Sequence, residues 1–133
     1  MPRAEKDGDA EEAAIRRTAL DYLEGWYDGD AARMERSLHP QLAKRIVEHN
    51  APGSFGRPPS DRLSEMSALR LVQNTRHEPV PPEERRSEVT ILDRFENAAS
   101  VRVDFKDWVD FAHVTKWNGQ WVIVNVLWAL REE

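Results

Sequence analysis

The chain changes its hydrophobic rhythm about two thirds of the way along. Up to residue 74 apolar positions recur every three or four residues; from Ser87 onward they recur every second residue. In the first part, Ile15, Ala19, Tyr22, Leu23 and Trp26 share one face of a helix expected from about Ala10 to Asp28. Asp9 is placed to cap it, Glu12 follows three residues on as in a capping box, and Gly29 supplies a permissive end. Asp30 can cap a short second helix carrying Ala31, Met34 and Leu38, which Pro40 stops. Leu42 to His49 fits either a short strand or another helical turn. Asn50 to Pro59 holds two Gly and three Pro and reads as a loop. A third helix is expected from a Ser60 or Asp61 cap to about Asn74, burying Leu63, Met66, Leu69 and Val72, before a polar connector from His77 to Arg86.

The alternating part predicts four antiparallel strands. Val89, Ile91, Asp93 and Phe95 form one face of the first; Ala99, Val101, Val103 and Phe105 form one face of the second. Glu96-Asn97-Ala98 joins them, with Asn97 suited to positive φ. A strand from Trp108 to Trp117 then turns at Asn118-Gly119, a strong hairpin signal, into Gln120 to Leu130. A two-residue turn there pairs Trp117 with Gln120, Thr115 with Val122, His113 with Val124, Phe111 with Val126 and Val109 with Trp128. The other face pairs Lys116 with Trp121, Val114 with Ile123, Ala112 with Asn125 and Asp110 with Leu127. Both faces come out largely apolar, so both need cover. Helices cover one. A second copy of the chain, making a homodimer through the sheet, is the simplest cover for the other; the connector or the N-terminus is the alternative.

Length and charge narrow the reading. At 133 residues, the chain fits one domain, residues 10–133, behind a disordered tail over residues 1–9. A net charge of −5 and the lack of a basic run argue against nucleic acid. No run approaches the ~18 apolar residues of a membrane span, and the N-terminus has no apolar signal-peptide core. The chain has no Cys, hence no disulfide or thiolate, which suits the cytoplasm.

Three helices followed by four antiparallel strands, the longest last, resemble the nuclear transport factor 2-like (NTF2-like) superfamily, shared with SnoaL-type cyclases and ketosteroid isomerases. The runs Tyr22-Leu-Glu-Gly-Trp26-Tyr27-Asp-Gly29-Asp30, Arg33-Met34-Glu-Arg36-Ser-Leu38-His39-Pro40 and Leu42-Ala-Lys44-Arg45 carry a closer likeness in the first half. Ile91-Leu92-Asp93, Asn97-Ala98-Ala99-Ser-Val101, Trp108-Val-Asp110-Phe111 and Lys116-Trp-Asn-Gly119-Gln-Trp121-Val-Ile-Val-Asn125-Val-Leu-Trp128 carry it in the second. With these, the chain resembles the "putative lumazine-binding" family of that superfamily. The resemblance implies an α+β, cone-shaped roll: three N-terminal helices packed on a curved antiparallel sheet, around a mostly apolar cavity for a flat heterocyclic small molecule. It also sets Tyr22 near the position of the helix-one Tyr of ketosteroid isomerases, and His113 near that of their protonated Asp. Their general base is not matched, since Val47 or Glu48 stands in its place.

The candidate chemistry follows. Asp93 interrupts an apolar strand face, where a carboxylate is desolvated unless paired; it reads as a general acid or base, as a ligand anchor, or as a structural partner of Arg102 or backbone amides. His113, between Phe111 and Thr115, reads as a proton shuttle or a core histidine. Tyr22, Trp26 and Trp128 can stack on a flat ring or simply fill core, as can Trp108. The catalytic candidates are thus Asp93, His113 and Tyr22, and the ligand-binding candidates Tyr22, Trp26, Asp93, His113 and Trp128. His39, His49, His77 and His113 lack metal-ligand spacing, so no metal is expected, nor any cofactor. The functional expectation is a small-molecule-binding domain. The alternatives are an isomerase, dehydratase or cyclase moving protons in the same cavity, and a homodimeric interaction module without a ligand.

Overall fold

The structure, a computed structural model, describes residues 2–132, with side chains from residue 10 onward. It begins with α1 (Pro2–Asp28), whose Ile15, Ala19, Tyr22, Leu23 and Tyr27 are buried at helical spacing. The helix starts at Pro2 rather than near Ala10. Position 9 therefore lies inside it instead of capping it, and the tail expected over residues 1–9 is helical from residue 2 on; residue 1 lies outside the described residues. Gly29 ends the helix at φ +67°. A Cβ there would collide with the His77 carbonyl oxygen, so the position needs glycine for space as well as for its dihedral.

The second helix, α2 (Ala31–Ser37), opens on Asp30, whose side chain accepts from the Arg33 amide at 3.0 Å. The chain then passes directly into β1 (Leu38–Ala51), which resolves the ambiguous stretch 42–49 as strand. Pro40 sits within β1, next to His39, whose ring Nδ1 accepts from the Gln41 amide.

The third helix is shorter than expected. Ser60–Ser67 is a strand, β2, and only Ala68–Asn74 is helical (α3), capped by the Ser67 hydroxyl accepting from the Arg70 amide. β2 is an edge strand wet on most positions. Leu63 is therefore exposed, as is Leu69, and the buried side of α3 is Ala68, Leu71 and Val72. Because apolar residues three apart fit a helical face as well as an edge strand, spacing alone misassigned this segment.

The connector is strapped to the end of α1. Arg85 donates to the Asp28 carboxylate at 2.7 Å and to the Tyr27 and Val80 carbonyls, and the Val80 amide donates to the Tyr27 carbonyl. After a 3-10 turn (Pro82–Glu84) come β3 (Glu88–Phe95), β4 (Ala98–Asp104), β5 (Trp108–Trp117) and β6 (Gln120–Leu130). The six strands form one sheet in the order β2-β1-β6-β5-β4-β3. It is mixed rather than purely antiparallel, because β1 runs parallel to β6 and the rest of the chain forms the crossover between them.

Two bulges decide which side chains face the helices. In β3, Ile91 pairs with Val101 but Asp93 pairs with Ser100, so Leu92 is the extra residue and the alternation reverses beyond it. In the last hairpin, both Asn118 and Gly119 take positive φ and the pairing follows the expected register as far as Val114 with Ile123. Val124 is then extra. His113 pairs with Asn125, Ala112 with Val126, Phe111 with Leu127, Asp110 with Trp128 and Val109 with Ala129. The bulge turns Ile123 and Val126 to the same, inner side, where both are fully buried. The β3–β4 turn takes its positive φ at Glu96, not at Asn97.

The core lies between α1, α2, α3 and the inner sheet face, with Val101, Val103, Phe105, Ala112, Val114, Ile123 and Val126 against Ile15, Tyr22, Leu23 and Met34. Burying each large apolar side chain contributes about 1.5–3 kcal/mol. Among the described residues, no helix is long and apolar enough to cross a membrane.

Candidate functional site

The helical layer does not fill the space over the sheet. A cavity of about 320 Å³ remains, lined by Tyr22 and Trp26 of α1, Met34 of α2, Lys44 of β1, Leu71 of α3, Phe105 and Trp108 around the start of β5, and Trp128 of β6. Asn74, Asp107 and Leu130, all exposed, also line it. The walls are mainly aromatic. Phe105 stacks on Trp108 with centroids 4.5 Å apart, and Trp108 meets both Trp26 and Trp128 edge-on at 6.2 Å. The β6 bulge is what carries Trp128 to this side, opposite Asp110.

One end of the cavity is polar, and there three elements meet. Tyr22 donates to Asp110 Oδ2 at 2.5 Å; Lys44 Nζ donates to the Tyr22 hydroxyl at 2.6 Å and stands 3.4 Å from Asp110 Oδ2. Asp110 is 0 % and Lys44 7 % exposed. The Lys44 ammonium also lies 5.3 Å from the Trp128 ring centroid. Burial pushes the Asp110 carboxyl above its ordinary range; the neighbouring Lys44 and hydrogen bonding, mainly from Tyr22, only partly offset this. Burial likewise pushes Lys44 down against the pull of Asp110, and holds the Tyr22 phenol well above its usual value. Both members of the pair are thus displaced toward their neutral forms. The Trp108 indole N–H also lies close enough to the Asp110 carboxylate to help lower its pKa, while among the described residues His77 Nε2 is buried without a hydrogen-bond partner.

Of the residues singled out from sequence, Tyr22, Trp26 and Trp128 come together on this cavity. Asp93 and His113 do not. Asp93 is exposed beyond the β3 bulge and accepts from the Arg94 amide; its carboxylate is not the desolvated one expected. His113 is exposed on the outer face, its Nδ1 3.1 Å from the Asn125 amide nitrogen. The two share a shallow surface groove with Ala98, Ser100 and Val124. Sequence reasoning missed Asp110 and Lys44. The signal was there: Asp110 alternates with Ala112 and Val114, as Lys44 does with Leu42. Asp110, not Asp93, is the desolvated carboxylate on an apolar strand face.

No curated protein matches the chain. Solved structures share its fold. An NTF2-like protein of unknown function from Shewanella baltica is 21% identical, with a TM-score of 0.73 over 93% of this chain and 96% of that one. An NTF-2 like protein of unknown function from Silicibacter pomeroyi is 16% identical, with a TM-score of 0.73 over 93% and 98%. A ketosteroid isomerase-like protein from Erwinia carotovora atroseptica is 13% identical, with a TM-score of 0.56 over 91% and 96%. A family model described as "Putative lumazine-binding" matches residues 10–129, nearly the whole chain, and the protein therefore belongs to that family.

Proposed function

We propose that the domain binds a small, flat, aromatic molecule in the cavity, stacked among Trp26, Trp108 and Trp128, with a polar edge turned to Tyr22 and Lys44, which Asp110 holds from behind. The supporting observation is the combination of an aromatic-walled hollow with a polar end where Tyr22 and Lys44, both lining it, are hydrogen-bonded to the buried Asp110. The hollow, about 320 Å³, suits a one- or two-ring compound. The family's description makes a lumazine-type heterocycle the first ligand to try. Isothermal titration with lumazine, and with naphthalene as a flat control lacking the polar edge, tests the reading. Lumazine should bind saturably and more tightly than naphthalene. Trp128→Ala should weaken it by about 1–3 kcal/mol, the scale of stacking on an aromatic side chain. Equal affinity for the two compounds, or a Trp128→Ala variant that binds as well as the wild type, would refute it.

A proton-transfer enzyme in the same cavity is the second reading, favoured by the hydrogen-bonded line from amine through phenol to carboxyl. Asp110 would act there in place of Asp93. Homodimerisation through the outer sheet face is supported by Phe111 and Leu127, which pair with each other while 43% and 50% exposed. Native mass spectrometry would show a doubled mass, and a purely monomeric spectrum at micromolar concentration would sink the dimer.

A further inference from the structure

We propose that Lys44 captures its ligand covalently: its ε-amine condenses with the carbonyl group of an aromatic aldehyde or ketone in the cavity to give an imine. This rests on the reading of the cavity as a ligand site and adds a chemical class to it.

The geometry provides the three things such a reaction needs. The first is an amine beside an apolar hollow, with aromatic surface to hold the carbonyl compound; Lys44 lines the cavity, and its Nζ lies 5.3 Å from the ring centroid of Trp128, another lining residue. The second is a way to unmask the amine, since an ammonium has no lone pair. Lys44 donates to Tyr22 and Tyr22 donates to Asp110, so the two bonds run in one direction. Moving each proton one step along them leaves a neutral amine, an intact phenol and a neutral carboxyl. Burial favours that state at both ends. The third is an acid for the leaving oxygen, which the protonated Asp110 supplies through Tyr22.

The steps balance. The nitrogen lone pair attacks the carbonyl carbon, and the C=O π pair moves to oxygen. The nitrogen loses a proton and the oxygen gains one, giving a carbinolamine. A proton returned from Asp110 by way of Tyr22 then lets the oxygen leave as water, the nitrogen lone pair forming the C=N bond. The nitrogen keeps its last hydrogen, so ammonium plus carbonyl gives protonated imine plus water, with the Asp110 carboxylate restored beside it and no oxidant or reductant needed. The apolar walls limit the water that would reverse it.

The chain has four lysines, Lys6, Lys44, Lys106 and Lys116, so the site of reaction can be read directly. Wild-type protein is incubated with benzaldehyde at neutral pH, reduced with borohydride and mapped by peptide mass spectrometry. Benzyl alcohol binding is measured in parallel as the control that cannot condense. One benzyl group on the Lys44 peptide, with the other lysines and the α-amine spared, is the expected result. Tyr22→Phe, checked for folding by circular dichroism, should slow labelling of Lys44 by about a hundredfold, the scale of lost acid–base assistance. Label spread evenly over the lysines overturns the proposal. So does an unlabelled Lys44 when both compounds bind, and that result leaves the binding function standing. If neither compound binds, the capture proposal falls, and the lumazine titration alone decides the binding reading.

Discussion

Replacing Lys44 with methionine tests the polar end of the cavity most directly, because it keeps the side-chain volume and removes the charge. In the wild type the ammonium stands 3.4 Å from Asp110 Oδ2. At an effective dielectric constant of about 20, that separation corresponds to roughly 5 kcal/mol of attraction. The variant is spared the desolvation of the ammonium itself, which offsets part of the loss. Breaking a buried pair from one side typically costs ~3–5 kcal/mol, and about 3 kcal/mol is expected here at pH 7. The pH dependence has a definite sign. Without Lys44, the folded-state pKa of Asp110 rises further above its unfolded value of 3.8. Between those two values the folded variant holds more protons than the unfolded chain, so its stability falls as pH rises through the window. Lys44 in the wild type is displaced downward from 10.5, so its own contribution increases with pH up to that value. Both effects make the gap between the two proteins widen from pH 4 toward neutrality and beyond. Urea melts at several pH values measure it, with the m-value as a check that the unfolded state is unchanged. The double variant Lys44→Met/Asp110→Leu should recover at least half of the loss, because neither charge is then left stranded. A gap under about 0.5 kcal/mol at pH 7, or one that narrows with rising pH, would refute the reasoning.

Gly29→Ala should destabilise by about 2 kcal/mol or more, since it adds left-handed strain to a contact with the His77 carbonyl; a thermal melt within a degree of wild type would contradict the strap geometry. Asp104 is held by Arg102 at 2.9 Å and Arg131 at 2.8 Å, and Arg102 foremost draws its carboxyl below its ordinary range. Its stabilising contribution is therefore present above the unfolded value of 3.8 and is lost as pH falls through the lower folded value. Asp104→Asn should accordingly be destabilised at pH 7 and approach wild type in strong acid; an acid-independent difference in urea melts would count against it.

What the sequence revealed tracked how local the determinants are. Asn118-Gly119 announces its own turn, and the register it sets holds to Ile123 because nothing beyond the turn intervenes. Val124 carries no mark of a bulge. Its extra position follows from Ile123 and Val126 both finding space against the helices, a packing outcome that reverses every assignment from Asn125 on. The same cause misplaced Asp93, one residue past Leu92. Leu63, Met66 and Leu69 suggested a helix because an edge strand imposes no burial pattern to contradict one. In the site, Tyr22, Trp26 and Trp128 were legible from helical spacing and family likeness. Lys44 and Asp110 were not, because a long-range meeting of α1, β1 and β5 is what makes a lysine and an aspartate at those positions unusual.

That meeting has a temporal side. Tyr22 and Asp110 are separated by 88 positions, Lys44 and Asp110 by 66. Their contacts can close only once the first helix, the first strand and the penultimate strand are all in place. A nascent chain that has not yet released β5 from the ribosome therefore holds Tyr22 and Lys44 without the carboxylate that joins them.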